Sequence, residues 1–209
     1  MSARRLFLNT VFSFACFIFS LPTFAKDLLS LSYVLQNWPQ PSKTQPFTET
    51  RYDTLLGLTS KYQGAFKFDS QSDILIKYST PIKGSIELKG QSVTVNFPSK
   101  TVSVSLSQLP QVQSFIEPIK ALLGGDVEKL TKKNQVTFSS EKSAPTKEAN
   151  AIPNWSLILT PPGPIVWSAK EIKVNGSVIE GKVEVLAIKL TFANGDWREF
   201  RLSGGENAR

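Results

Sequence analysis

The stretch Lys61–Leu106 reads KYQGAFKFDSQSDILIKYSTPIKGSIELKGQSVTVNFPSKTVSVSL, and the fold can be predicted from it. Its apolar residues recur two positions apart, which in a β-strand places each set on one face. The sets are Phe66 and Phe68; Val93, Val95 and Phe97; and Val102, Val104 and Leu106. Breaks at Pro81, Gly84, Gly90 and Pro98 separate the strands, so the stretch predicts an antiparallel meander with short turns.

The rest of the chain adds helices on either side of this meander. Apolar residues at helical spacing predict a first helix over Lys26–Trp38, which Pro39 ends. A second helical pattern begins at Pro110 and continues to Gly124-Gly125. Asp126 is predicted to cap a further short helix that ends in Lys132 and Lys133.

Further strands are predicted before and after the meander, at Phe47–Tyr52, Asn134–Ser139, Trp155–Thr160, Glu171–Val174, Val183–Phe192 and Trp197–Leu202. The Asn175-Gly176 pair indicates a hairpin turn between two of them. About ten antiparallel strands tend to curl rather than stay flat. The expected fold class is therefore α+β, an incomplete antiparallel β-barrel with helices covering its mouth.

The first 25 residues have the pattern of a secretory signal peptide. Arg4 and Arg5 precede a nearly continuous apolar run from Leu6 to Leu21, and Ala25 offers a small residue for cleavage. We expect residues 1–25 to be removed near Ala25, leaving residues 26–209 as one domain in the periplasm. A retained membrane helix is the alternative, but the apolar run is short for a span.

Composition restricts the chemistry. The chain has no histidine, and its one cysteine, Cys16, lies in the predicted signal peptide, so histidine-based catalysis and the usual zinc sites are excluded. No glycine-rich loop between a strand and a helix indicates a nucleotide site. The acid pairs, Glu49/Asp53, Asp69/Asp73 and Asp126/Glu128, match turns and caps. We therefore expect no enzyme activity, no metal and no cofactor.

The net charge of +7 is modest and spread along the chain. For an exported protein it indicates solubility or attraction to anionic lipid head groups, and it does not indicate nucleic acid as a partner. The apolar residues of the sheet and helices have two interpretations. They fill a core, or they leave a cavity that accepts acyl chains.

Several short motifs together resemble the LolA-like outer-membrane lipoprotein carriers. They are Phe47-Thr48-Glu49-Thr50-Arg51, Gly64-Ala65-Phe66-Lys67-Phe68, Ile74–Pro81 and Gly90–Val95. The later stretches Leu122–Asp126, Trp155–Pro161 and Ile172–Gly176 are similar to a divergent branch found beside aryl-polyene-type lipid synthesis. The principal carriers have a Lys-Arg-Pro turn where this chain has Asp69-Ser70-Gln71-Ser72-Asp73, so their closing arginine has no counterpart there.

The resemblance implies a non-catalytic periplasmic shuttle, expected to be a monomer. It would receive an acylated lipid or lipoprotein from an inner-membrane exporter and release it to an outer-membrane acceptor. Alternation and helical spacing predict the residues that would line its cavity. They are Phe66, Phe68, Val93, Val95, Phe97, Trp155, Leu157 and Leu159 from the sheet, and Phe115, Ile119 and Leu122 from the helices.

Two other functions stay open from the sequence. The chain could be a binding or scaffold module of the cell envelope with a filled core, or, more remotely, an envelope hydrolase. A cavity of the size of a ligand site separates the first alternative from the carrier. Two polar groups converging in a cleft would indicate the second.

Overall fold

The computed structural model describes residues 29–39, 44–68, 73–108, 110–123, 125–141, 154–161, 169–179 and 181–203. The helices in these ranges are α1 (Leu31–Gln36), α2 (Pro110–Leu123) and α3 (Val127–Lys133), with a short 3₁₀ turn at Leu106–Gln108. The strands are β1 (Thr44–Asp53), β2 (Leu58–Phe68), β3 (Ile74–Thr80), β4 (Gly84–Lys89), β5 (Ser92–Phe97), β6 (Lys100–Ser105), β7 (Gln135–Glu141), β8 (Asn154–Thr160), β9 (Ala169–Ile179), β10 (Lys182–Phe192) and β11 (Trp197–Leu202). The predicted signal peptide, residues 1–25, lies outside the described residues.

All eleven strands form one antiparallel sheet in the order β6-β5-β4-β3-β2-β1-β11-β10-β9-β8-β7. Strand β1 is therefore central, between β2 and β11. Within the described ranges no pairing joins the two edge strands, β6 and β7, so the sheet stays open. The predicted fold class, an incomplete antiparallel barrel with helices, is confirmed, with eleven strands instead of about ten.

The strand registers place every second residue on a common face, which we call the inner face. Phe47 of β1 lies opposite Gly64 of β2, and Phe66 lies opposite Ile76 of β3. On the other side of β1, the register carries this face through β11 and β10 to Leu157 of β8. The residues buried here form the main core, and each large apolar side chain contributes roughly 1.5–3 kcal/mol by leaving water.

The helices pack on this face and belong to the same core. Val34 of α1 is fully buried, and Trp38, just after α1, lies with its ring 5.7 Å from that of Trp155 on β8. The Trp38 Nε1 also donates a 2.8 Å hydrogen bond to the Leu122 carbonyl oxygen at the end of α2. These contacts fix α1 and α2 to each other and to the β7–β10 half of the sheet.

Local capping follows the sequence in two places. The Ser30 side chain accepts a hydrogen bond from the Tyr33 N–H at the start of α1. The Asp126 side chain caps α3 by accepting from the Lys129 N–H, as predicted, and Lys132 and Lys133 lie in the last turn of that helix. Both caps satisfy backbone donors that the first turn of a helix leaves free.

The hairpin turn predicted at Asn175-Gly176 is wrong. Strand β9 runs through both residues, and the chain turns near Gly181, whose φ is +78°. Gly176 is required for a different reason. A Cβ there would overlap the Trp155 ring and the Glu184 backbone oxygen, so only glycine allows the indole to pack this close to the strand.

Candidate functional site

An apolar cavity of about 210 Å³ lies on the inner face beside α2. Its walls are almost entirely aliphatic and aromatic, with one charged side chain, Arg198. The lining residues are Ile74, Ile76 and Tyr78 of β3, Ile86 and Leu88 of β4, Val93 and Val95 of β5, Ile116 and Ile119 of α2, and Leu190, Arg198 and Phe200 of β10 and β11.

Strand alternation builds this cavity. Ile74 lies opposite Leu88 and Ile76 opposite Ile86, and the next pairing aligns Ile86 with Val95 of β5. Three neighbouring strands thus present β-branched or leucine side chains to the same space. At the end of this wall Gly84 leaves room for the Phe97 ring, which a Cβ at that position would overlap.

Three of the predicted lining residues, Val93, Val95 and Ile119, line the cavity. Phe68 and Phe97 lie on the inner face as predicted, half-buried against the core and beside the cavity. Five others are at most 2% exposed and belong to the packed core; they are Phe66, Leu122, Trp155, Leu157 and Leu159. Phe115 belongs to α2, and its side chain lies outside the described residues.

The sequence interpretation missed most of the cavity wall. Ile74, Ile76 and Tyr78 alternate within one predicted strand, and that pattern could have placed all three on the inner face. Leu190 and Phe200 follow the same alternation in β10 and β11. Arg198 carried no such signal, because a charged residue at an alternating position is ordinarily read as solvent-facing.

A second, more polar cavity of about 360 Å³ adjoins the ends of β1, β2 and β11. Arg198 lines both cavities, so the two share this side chain. The other lining residues are Arg51, Tyr52, Asp53, Leu56, Leu58, Ser60, Tyr62, Phe192, Asn194, Asp196 and Trp197. The site as a whole therefore has an aliphatic part and a polar part, and the Arg198 side chain belongs to the walls of both.

Arg51 is held by a buried carboxylate. Its Nε donates to Glu49 Oε1 at 2.7 Å, and its Nη2 donates to Glu49 Oε2 at 2.8 Å and to the Tyr78 hydroxyl oxygen at 3.0 Å. The guanidinium also lies 4.0 Å from the centre of the Tyr62 ring. Burial alone would lower the pKa of Arg51, but the hydrogen bond and charge of Glu49 outweigh it and raise the pKa above its ordinary value.

Arg198 is the cross-strand partner of Arg51 and has no such support. In the part of the chain that the structure describes, its guanidinium makes no hydrogen bond or ion pair, and its recorded aromatic contact is with Phe192, 5.8 Å from the ring centre. Burial, followed by the positive charge of Arg51, lowers the pKa of Arg198. The site therefore holds a half-buried cation without a carboxylate partner.

The two acids of the polar cavity are engaged in turns. Asp196 accepts from the Thr54 N–H at 2.8 Å and from the Asn194 side chain at 2.8 Å. Asp53 accepts from the Leu56 N–H at 2.9 Å. Each stabilises the turn at the end of its strand. Asp53 follows Arg51 by two residues and Asp196 precedes Arg198 by two, so both acids lie nearer the turns than the two arginines do.

No group of three or more potential metal ligands comes together in the described ranges. Among the helices of those ranges, none is both long enough and apolar enough to cross a membrane.

Comparison with known proteins gives matches to structures alone. No protein-family model matches the chain. No curated protein matches it either.

Several solved structures are similar in architecture. A LolA superfamily protein from Nitrosomonas europaea matches with a TM-score of 0.42 and 14% identity, over 83% of this chain and 90% of its own. LprF from Mycobacterium bovis matches with a TM-score of 0.42 and 9% identity, over 88% and 97%. A DUF1329 family protein from Desulfovibrio piger matches with a TM-score of 0.43 and 13% identity, over 82% and 90%.

At these identities the matches do not indicate what this chain binds. They span most of its length and most of each matched structure. The chain has the open antiparallel sheet with helices on one face that the sequence resemblance implies.

Proposed function

We propose that this protein is a periplasmic carrier that binds acyl chains in the apolar cavity and takes an acylated lipid or lipoprotein from the inner to the outer membrane. The observation that supports it is the cavity wall between β3–β5 and α2. Eleven of the twelve lining residues are aliphatic or aromatic, and they enclose an unfilled space of about 210 Å³. Each methylene buried there would contribute about 0.8 kcal/mol.

The cavity is smaller than most ligand sites, which measure about 300–1,000 Å³. A long chain would therefore fit only after part of its wall moves. Ile116 and Ile119 come from α2, whose far end is fixed by the Trp38 bond to Leu122. We expect the portion of α2 at the cavity to shift away from the sheet when a chain enters, while the Trp38 contact stays in place.

Transfer would require transient contacts with an inner-membrane donor and an outer-membrane acceptor, with the carrier acting as a monomer and without catalysis. The sequence resemblance supports this role. The predicted signal peptide supports the periplasmic location.

A second candidate is a non-catalytic envelope binding or scaffold module. The core on β8 and β9 favours it, because Leu157, Leu159 and Ile172 are fully buried there. In that role the space beside α2 would be a packing defect, and the protein would act through its outer surface.

Titration of the purified protein with a fluorescent fatty acid distinguishes the two. Val95→Phe would fill part of the cavity from β5, and we expect it to weaken binding at least about tenfold. Thr94→Phe is the matched control, because Thr94 is on the same strand and faces the other way. Saturable binding that only Val95→Phe reduces supports the carrier. Absence of binding to the unaltered protein, or equal binding by Val95→Phe, would overturn it.

A further inference from the structure

Arg198 is a wall residue of both the aliphatic cavity and the polar cavity. It lines both spaces, whereas Arg51, its cross-strand partner, lines only the polar cavity. A chain lying along Ile76, Val95 and Leu190 would thus have its polar end beside this guanidinium. A side chain at this position would contact the polar group that an acyl chain carries at its end.

The guanidinium also makes no hydrogen bond to another described residue, and it is only partly exposed to solvent. It has five N–H donors, and a half-buried cation without a partner is unfavourable because its solvation is partly lost. Glu49, the nearest buried carboxylate along the sheet, already has both oxygens bound to Arg51. Arg198 thus adds a second positive charge beside this pair, and the charge of Glu49 reaches it without a hydrogen bond.

The remaining acids are placed at the outer end of the polar cavity. Asp53 and Asp196 bond to the Leu56 and Thr54 backbone N–H groups and to Asn194. Their negative charge would disfavour an anion at the hairpin ends and would direct it one row inward, toward Arg198. Tyr62 and Phe192 line the same cavity and provide apolar ring surface beside that position.

We propose that Arg198 binds an anionic group on the cargo, so that the cargo is an acyl chain attached to a phosphate or a carboxylate. The planar fork of a guanidinium matches either group with two parallel hydrogen bonds. Binding would also neutralise the repulsion between Arg198 and Arg51. This inference rests on the proposed function, since it assigns the polar end of a chain held in the apolar cavity.

Isothermal titration calorimetry with three ten-carbon probes tests it: decanoate, decyl phosphate and neutral decanol. We expect Arg198→Gln to weaken the two anions at least about tenfold and decanol less than about twofold, because charge-assisted hydrogen bonds are lost only for the anions. Arg201→Gln is the control, since Arg201 is an exposed arginine three residues further along β11 on the other face. Tighter binding of decyl phosphate would indicate a phospholipid-like cargo, and tighter binding of decanoate a fatty acid.

Arg198→Lys keeps the charge but loses the fork, and we expect affinities for the anions between those of the unaltered protein and Arg198→Gln. Circular dichroism of each variant confirms its folding before titration. Unchanged binding of both anions by Arg198→Gln, or equal weakening of decanol, would overturn the role of Arg198 alone. Absence of binding of all three probes by the unaltered protein would instead overturn the proposed function.

Discussion

Arg51 and Arg198 lie directly opposite each other on β1 and β11, yet only Arg51 is bound to a carboxylate. Glu49, its partner, is fully buried, and the Arg51 side chain is 26% exposed. The two arginines therefore have opposite relations to stability. One neutralises a buried charge, and the other is a half-buried charge that makes no hydrogen bond or ion pair in the described structure.

This difference predicts unequal effects of the same substitution. Arg51→Met would leave the Glu49 carboxylate buried without a partner, and we expect it to lower the free energy of unfolding by about 3–5 kcal/mol. Arg198→Met removes an unsupported cation, and we expect it to leave the free energy of unfolding unchanged or higher. Urea denaturation measures both values.

Arg201→Met is the control for these variants. Its side chain is 74% exposed and pairs with Glu199 at 3.4 Å, so we expect a change within about 0.5 kcal/mol. An Arg198→Met variant as unstable as Arg51→Met would show that Arg198 has a stabilising partner, contrary to the arrangement described above.

Tyr78 predicts a loss of stability in alkaline solution. Burial, and then the negative charge of Glu49, raises the pKa of Tyr78 above its ordinary value of 10.0. The folded state therefore retains the proton that the unfolded state releases. The corresponding stability is fully present below pH 10 and is lost as the pH rises above it.

Tyr78→Phe removes this titrating group. We expect the free energy of unfolding of the unaltered protein to fall relative to that of Tyr78→Phe between about pH 9 and about pH 11. Chemical denaturation of both proteins at both pH values gives the comparison. If the two free energies of unfolding differed by the same amount at both pH values, Tyr78 would ionise equally in the folded and unfolded states, contrary to this prediction.

Trp38 and Trp155 pack against each other, but we expect their substitution by phenylalanine to change the free energy of unfolding by different amounts. Trp38 Nε1 donates to the Leu122 carbonyl, whereas Trp155 Nε1 is buried without a hydrogen-bond partner. Trp38→Phe would leave a buried helix-terminal carbonyl unpaired, and Trp155→Phe would remove no hydrogen bond. We expect Trp38→Phe to lower the free energy of unfolding by at least about 1 kcal/mol more than Trp155→Phe does, as measured by thermal or urea denaturation. Equal costs would show that the Trp38 hydrogen bond adds nothing to the attachment of α2.

A side chain at position 176 of β9 is expected to be destabilising for steric reasons. An alanine Cβ there would overlap the Trp155 ring and the Glu184 backbone oxygen, and because the latter is backbone it cannot rotate away. We expect Gly176→Ala to lower the free energy of unfolding by about 1–3 kcal/mol. Asn175→Ala, one residue earlier and on the other face, is the control and should cost less. Retention of full stability by Gly176→Ala would contradict the close packing of Trp155.

The sheet was predictable because alternation survives in most of its strands. Phe66/Phe68 and Val93/Val95/Phe97 each indicated one face, and the registers place both sets on the inner face. The Asp126 cap was predictable for a similarly local reason. Gly176 was misread because the sequence shows a glycine after an asparagine, but does not show the indole that packs against it.

Which inner-face residues line the cavity and which are packed in the core could not be predicted. Leu157 and Val95 have the same alternation, yet Leu157 is fully buried in the core and Val95 lines the cavity. The outcome depends on where α1 and α2 pack, which strand patterns do not determine. Glu49 and Arg51 are two residues apart on β1, whereas Arg198 escaped prediction because strand pairing brings it opposite Arg51 from a distant part of the chain.

Native mass spectrometry of the protein recovered without detergent from cells expressing the full chain tests the central claim most directly. We predict an additional bound mass that organic extraction releases as an acylated molecule, and that is reduced in Val95→Phe but retained in Thr94→Phe. A chain recovered free of acylated mass in all three proteins, together with no uptake of added fatty acid, would contradict the carrier function.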